Sequence, residues 1–258
     1  MKNIIKQKLL DIQTSYNIKI LYACESGSRA WGFASKDSDY DVRFIYVKPL
    51  EYYLSLGKKC DVLECELNDT FDINGWDLSK FLYLLAHSNM SAYEWLQSDI
   101  IYQKTQIWEE IQDEFLQFFN VSTAIYSYLG IAKTQMSRHI QNKELIKYKK
   151  YLYVIRPLIA CEYILKYQKP ALMNFNNLLE SVEISSEVGR EIKNLLKFKL
   201  ESSEKDFKQK SDVLNTFCIE KIDKFNNFLA RKKIQKQPYI AKIDDLFLRV
   251  LKDERLLV

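Results

Sequence analysis

Glycine, proline and histidine are scarce in this chain of 258 residues, which contains only six, four and two of them. Glycine and proline interrupt regular structure, so their scarcity disfavours a sandwich of many short strands and favours long helices. Cys60 and Cys65 have zinc-like spacing, but neither His87 nor His139 is near them in sequence. The ligand count therefore argues against a structural zinc site.

The sequence also lacks a cysteine pattern typical of disulfides and any long apolar run. The five cysteines are odd in number and scattered, which excludes a disulfide scaffold and favours a reducing compartment. No stretch approaches the roughly 18 apolar residues of a membrane span. Residues Met1 to Ile5 do not form the apolar core of a secretory signal. We therefore expect a cytoplasmic protein without a membrane partner.

The composition is otherwise that of a globular protein, with 47% apolar and 28% charged residues. The formal net charge of +4 is unevenly distributed. Residues 1–130 hold 12 basic and 18 acidic side chains, whereas residues 131–258 hold 26 basic and 16 acidic ones. An acidic half suited to cations and a basic half suited to phosphates is one interpretation, and a lysine-rich solvated helical surface is the other.

Hydrophobic periodicity predicts an α+β fold. A helix over 3–16 precedes strands over 18–24, 40–47, 61–67 and 70–73. Helical periods dominate from Trp76 onward and include one over 107–119. We predict a domain over residues 1–118 that contains a small mixed sheet. A basic, all-helical domain over 119–258 would follow it, with one helix over 145–168 and another over 186–210.

The segment from Gly27 to Asp41 holds the candidate chemistry. Asp39 and Asp41 open a strand that is otherwise apolar and aromatic, and at positions i and i+2 they share one face, roughly 6.5–7 Å apart at Cα. Hard oxygen ligands at this spacing suit one or two Mg²⁺ ions, which catalyse phosphoryl transfer. Gly27 and Ser28 follow a strand and offer backbone N–H groups and a hydroxyl to phosphate oxygens. Arg29 and Lys36 add positive charge, and we predict that Arg29 contacts the nucleotide.

These motifs resemble the DNA polymerase beta-like nucleotidyltransferase superfamily, in which Gly-Ser is followed by Asp-x-Asp and a third carboxylate on a later strand. The segments 27–33 and 38–43 are similar to the branch of predicted nucleotidyltransferases associated with RNA ligases. Similarity continues at 72–80, 88–89, 94–96 and 149–157. It covers roughly the first 170 residues.

The resemblance implies a minimal nucleotidyltransferase palm in which Asp39 and Asp41 hold two Mg²⁺ ions and the triphosphate of a nucleotide such as ATP. Gly27 and Ser28 would grip the β- and γ-phosphates. The third carboxylate is open among Glu64, Glu66, Asp72 and Asp77. We favour Asp72 because it lies between Phe71 and Ile73, the context that the superfamily uses; Asp77 is also placed to cap the following helix.

A basic, tyrosine-rich run covers residues 147–156. On a helix, Lys149, Tyr153 and Arg156 would lie near one face and contact a triphosphate or an RNA backbone, or the run would simply be a packed helix with solvated lysines. Trp31 is placed either to stack on a base or to anchor the loop.

The function predicted from these observations is metal-dependent transfer of a nucleoside monophosphate from a nucleoside triphosphate to an acceptor hydroxyl, with release of pyrophosphate. We favour RNA as the acceptor. Two alternatives stay open. One is antitoxin-like transfer of a nucleotide to a side chain of a protein partner. The other is a non-catalytic RNA- or protein-binding module that keeps the fold.

Overall fold

The computed structural model of the protein describes residues 1–35, 37–201, 207–232 and 240–253, so that Lys36 lies outside the described residues. The chain forms two compact units. The first comprises Met1–Ala30, Ser38–Phe119 and Gln237–Val258, and the second comprises Trp31–Asp37 and Asn120–Lys236. These units differ from the predicted division after residue 118: residues 31–37 belong to the second unit, whereas Phe119 and residues 237–258 belong to the first. Whether 1–118 and 119–258 are separate domains stays a prediction.

The first unit is built on a five-stranded sheet in the order β3-β4-β2-β1-β5. Its strands are β1 (Lys19–Glu25), β2 (Tyr40–Val47), β3 (Val62–Leu67), β4 (Phe71–Asp77) and β5 (Ile101–Lys104). The pair β2 and β4 is parallel, and the other neighbouring strands are antiparallel. Parallel pairing brings the beginnings of β2 and β4 to the same edge of the sheet, where Asp41 and Asp72 lie.

Helices cover both faces of this sheet. They are α1 (Lys2–Tyr16), α2 (Gly27–Ala30), α3 (Leu50–Leu54), α4 (Leu78–Ala86), α5 (Met90–Leu96), α6 (Gln106–Ile111), a 3₁₀ helix (Gln112–Phe118) and, in chain order after the second unit, α12 (Ile240–Leu251). On one face, Ile5 and Leu9 of α1 pack with Phe44 of β2. On the other face, Phe81 of α4 and Leu246 of α12 belong to the second core.

The second unit is mainly helical. It contains α7 (Val121–His139), a 3₁₀ turn (Tyr148–Tyr151), α8 (Leu152–Tyr167), α9 (Phe175–Glu180), α10 (Ser186–Glu201) and α11 (Asp212–Ala230). A two-stranded antiparallel ribbon joins β6 (Leu145–Lys147) and β7 (Phe207–Gln209). Among the described residues, no helix is both long enough and apolar enough to cross a membrane.

The predicted α+β fold, a sheet followed by a helical region, is confirmed. Three predicted helices are wrong in part. The helix predicted over 145–168 starts at Leu152, because residues 145–147 pair with 207–209 instead. Because of the same strand pairing, residues 207–209 are not part of the helix predicted over 186–210. The helix predicted over 107–119 is α-helical only to Ile111 and continues as a 3₁₀ helix. The edge strand β5 was not predicted from the sequence, because its four residues are too few to show a clear alternation of apolar and polar side chains.

Candidate active site

A tight turn at Gly27 connects β1 to the single-turn helix α2. Gly27 has a φ of +56°, and a Cβ built on it would lie 1.9 Å from Oδ2 of Asp41. The backbone N–H of Ser26 donates to the carbonyl of Asp41 at 2.8 Å. Only glycine tolerates both this dihedral angle and this approach. The turn and the Asp41 carboxylate are therefore in direct contact.

Asp41 and Asp72 are direct neighbours across the parallel pair of β2 and β4. Val42 and Ile73, the residues that follow them, point into the core beneath α1. Strand alternation therefore directs both carboxylates to the opposite face of the sheet. Both side chains are partly buried, with 19% and 25% of their surface exposed.

Arg43 lies two residues after Asp41 and shares its face of the sheet. Its Nη2 is 3.0 Å from Oδ1 of Asp41 and 2.6 Å from Oδ2 of Asp72. Its Nη1 donates to the carbonyl oxygen of Asp72 at 2.7 Å. One guanidinium thus joins the two carboxylates and the two strands.

The pKa of Asp41 reflects its burial and the charged side chains around it. Burial raises the pKa of Asp41 to about 6; Arg43 and Arg29 oppose the rise, and the negative charges of Asp39 and Asp72 add to it. A carboxylate with a raised pKa gains from additional positive charge nearby. The two arginines therefore offset only part of the effect of burial and like charge on Asp41.

Asp39 precedes β2, and Arg29 holds the backbone at this point. The Arg29 Nε donates to the carbonyl of Asp39 at 2.9 Å, and its Nη2 donates to the carbonyl of Ser38. The guanidinium also stacks over the ring of Tyr40, 3.8 Å from its centroid. These contacts fasten the start of β2 to α2. The predicted contact of Arg29 with a nucleotide stays a prediction.

Glu25 is a site residue that the sequence reasoning missed. It is completely buried at the end of β1, where one carboxylate oxygen accepts from the backbone N–H of Asp41 at 2.9 Å and the other from the hydroxyl of Tyr102. Burial raises the pKa of Glu25. The available signal was an acidic residue at the end of an apolar strand, two positions before Gly27. Glu25 positions the Asp41 backbone from beneath.

The four candidates for the third carboxylate occupy different environments. Asp72 alone among them is paired with Asp41. Asp77 is buried and caps α4, accepting from the backbone N–H of Ser79 at 2.9 Å. Glu66 accepts from Lys8 at 2.7 Å, and Glu64 is exposed. Strand register therefore favours Asp72, and its role in binding a metal ion stays a prediction.

The remaining candidates lie in the second unit and do not share one helix face. Lys149 lies in the 3₁₀ turn before α8, because the ribbon delays the start of the helix. Arg156 is buried, with its guanidinium 4.5 Å from the ring centroid of Trp31. Tyr153 meets the same ring edge-on at 6.0 Å. These contacts favour Trp31 as an anchor of its loop; nucleotide binding by Lys149, Tyr153 and Arg156 stays a prediction.

A divalent cation fits the carboxylates of β2 and β4 by donor chemistry, since hard oxygens on adjacent strands are what Mg²⁺ prefers. However, these carboxylates are not arranged as a preformed metal-binding site. Within the described part of the chain, no three His, Cys, Asp or Glu side chains are placed together so that they could hold a metal ion. Arg43 contacts the carboxylate oxygens of Asp41 and Asp72 that a metal ion would need.

A mixed sheet with a Gly-Ser turn against one strand carboxylate, and a second carboxylate in register beside it, is the arrangement of a polymerase beta-like fold. Comparison with known proteins agrees. Residues 1–249 match the family described as the RNA repair pathway DNA polymerase beta family, and the chain belongs to it. The chain is 37% identical over 254 residues to the uncharacterized protein YcgL of Bacillus subtilis (strain 168), covering 96% of this chain and 97% of that one. The resemblance seen in the sequence is thereby confirmed.

Proposed function

We propose that this protein transfers a nucleoside monophosphate from a nucleoside triphosphate to a hydroxyl group of RNA and releases pyrophosphate. The observation that carries the proposal is the in-register pair of Asp41 and Asp72, with Gly27 packed directly against Asp41. In the reaction, a bond forms between the acceptor oxygen and the α-phosphorus. The bond from the α-phosphorus to the leaving pyrophosphate breaks.

Each part of the site has a role in this scheme. Asp39, Asp41 and Asp72 would hold Mg²⁺, which when bound supplies positive charge to the triphosphate and to the acceptor oxygen. Asp72 would also help to take the proton from the acceptor hydroxyl. Gly27 and Ser28 would bind phosphate oxygens through backbone N–H groups and a hydroxyl. Positioning and charge neutralisation would provide most of the rate enhancement.

RNA as the acceptor is supported by the family description and by a cluster of cations in the second unit. His139, at the end of α7, has a pKa lowered first by burial and then by the positive charges of four neighbours, Lys150, Lys143, Arg138 and Lys147. The Nζ of Lys143 donates to the carbonyl of Arg138, which ties the loop after α7 to the helix end. We call the four positively charged neighbours, Arg138, Lys143, Lys147 and Lys150, the cation cluster.

The cation cluster is suited to a phosphate backbone. Arg138 and Lys143 are exposed, and neither they nor Lys147 form an ion pair with a carboxylate in the described residues. Cations without carboxylate partners are available to phosphates, and each phosphate contact adds a salt-dependent increment of affinity. A polyanion therefore fits this surface better than an acidic side chain or a single nucleotide.

The decisive experiment uses α-labelled nucleoside triphosphates, Mg²⁺ and either cellular RNA or lysate protein as acceptor. We expect label in RNA with the wild-type protein and none above background with Asp41→Asn or Asp72→Asn. The matched control is Glu64→Gln, which removes one exposed carboxylate from the neighbouring strand and should label RNA normally.

Two other outcomes would contradict the proposal. Label in a protein band instead of RNA would establish transfer to a protein side chain. If no label appears in either acceptor and the protein shows no Mg²⁺-dependent nucleotide binding, the chain is a binding module with this fold.

A further inference from the structure

The Arg43 guanidinium forms several hydrogen bonds around the Asp41 and Asp72 carboxylates, whereas an exposed surface ion pair commonly has one. Its Nη2 contacts Asp41 and Asp72, and its Nη1 donates to the carbonyl oxygens of Asp72 and, at 3.2 Å, of Val42. Only 14% of its side chain is exposed. The guanidinium is therefore fixed by four acceptors on two strands and is largely shielded from water.

Electrostatics explain why a cation is needed at this position. Two carboxylates directly opposite each other on neighbouring strands repel, and partial burial strengthens the repulsion. An arginine side chain stays charged at every physiological pH. Arg43 therefore compensates the pair, and it does so by occupying the carboxylate oxygens that a divalent cation would use.

We propose that Arg43 is an internal counterion of the active site, which a divalent metal ion must displace from Asp41 and Asp72 in order to bind. The inference rests on the proposed function, because it takes these carboxylates as the metal ligands. Arg43 is a positioning residue in this scheme: it holds the two carboxylates in register and lowers their affinity for the ion that replaces it.

The test is a titration of metal-stripped protein with Mn²⁺, with free Mn²⁺ followed by electron paramagnetic resonance. Arg43→Gln should bind Mn²⁺ about tenfold more tightly than the wild-type protein, because the competing charge is gone. Arg43→Lys, which keeps the charge but cannot bridge both carboxylates with one planar group, should lie between the two. Lys80→Gln is the matched control, since it removes a cation paired with Asp61 in the same unit and should leave Mn²⁺ affinity unchanged.

Thermal unfolding supplies a second readout. In the presence of a chelator, Arg43→Gln should melt below the wild-type protein, because its two carboxylates repel without compensation. Mn²⁺ should then raise its melting temperature by more than it raises that of the wild-type protein. General damage to the fold would lower metal affinity, which is the opposite of the expected change.

The outcomes separate this inference from the proposed function. If Arg43→Gln and Arg43→Lys are folded but bind Mn²⁺ with wild-type or weaker affinity, the counterion role is wrong while the metal site stands. If neither the wild-type protein nor Arg43→Gln binds Mn²⁺ in a manner that Asp41→Asn abolishes, the metal site itself is wrong.

Discussion

The carboxylate pair of the first unit and the cation cluster of the second unit differ in how their charges are compensated. In the first unit, the carboxylates of β2 and β4 are compensated from within, by Arg43. In the second unit, the cation cluster around His139 has Arg138, Lys143 and Lys147 without carboxylate partners among the described residues. A compensated carboxylate pair can exchange one cation for another, whereas uncompensated cations attract a polyanion. The difference supports the proposal that the acidic part of the chain binds metal ions and the basic part binds RNA.

The largest expected effect is that of Gly27→Ala, which should impair the carboxylate site of the first unit without affecting RNA binding by the second unit. The new Cβ would meet the Asp41 carboxylate at 1.9 Å, and the residue would keep a positive φ. We expect nucleotide transfer to fall by about 10²-fold and the free energy of unfolding to fall by about 1–3 kcal/mol. RNA affinity should not change. Labelling assays, urea unfolding and RNA-binding titrations measure the three quantities.

Gly130→Ala is the matched control for this prediction. Gly130 lies within α7, and a Cβ there would contact nothing within 4 Å. Alanine should stabilise the helix by about 0.5–1 kcal/mol and leave transfer unchanged. Equal losses of activity in both variants would show that the close approach at Gly27 is unrelated to function.

A smaller effect, confined to the second unit, is expected for the triple variant Lys143→Gln, Lys147→Gln, Lys150→Gln. RNA affinity should fall by about tenfold at moderate salt. The slope of log affinity against log salt should become shallower by about 2, since each lost phosphate contact to single-stranded RNA contributes about 0.7. Fluorescence anisotropy with a labelled oligonucleotide at several salt concentrations gives both values.

The control for the lysine variant is Lys2→Gln, Lys6→Gln, Lys58→Gln, which removes the same charge from exposed positions of the first unit. An identical change of slope in both triple variants would mean that RNA responds to net charge alone. In that case the cation cluster would have no special role.

The smallest effect is expected at Glu162, a carboxylate of the second unit that pairs with two lysines. Glu162 accepts from Lys221 at 2.5 Å and from Lys224 at 2.6 Å. Burial raises the pKa of Glu162, but hydrogen bonds and charge from the two lysines outweigh it, and the pKa is lowered overall. A lowered pKa stabilises the fold above the pKa of the unfolded chain, and this stability is lost as pH falls through the folded value.

Glu162→Gln should therefore lower the free energy of unfolding by up to about 1 kcal/mol at pH 7 and by less in acid, below the ordinary glutamate range. Urea unfolding at both pH values measures the difference. Glu220→Gln, an exposed change on α11, should have little effect at either pH. A pH-independent cost at Glu162 would mean that the side chain acts through packing and not through charge.

The fold was largely predictable because its signals are local. The apolar and aromatic segment from Tyr40 to Val47 predicted β2 with correct bounds, and the helical period predicted α1 to within a residue. Residues 145–147 carried no such signal, since three residues in a ribbon depend on a partner about 60 positions away. Propensity therefore assigned them to the following helix.

The candidate site was predictable in part for the same reason. Gly27, Asp39, Asp41 and Asp72 were recognisable as a pattern along the chain. Glu25 was not, because its role depends on the backbone N–H of Asp41 and the hydroxyl of Tyr102, 77 residues away. A buried acid at a strand end carries no periodic signal of its own.

The sequence by itself determined the α+β class, the Gly-Ser and Asp-x-Asp motifs and the family to which they belong, because these depend on short-range order and residue type. Tertiary structure decided which carboxylate stands beside Asp41, since parallel register selects Asp72 over Asp77. It also decided that Arg43 joins that pair. Register and side-chain packing bring together residues about 30 positions apart, and no local pattern along the chain encodes that distance.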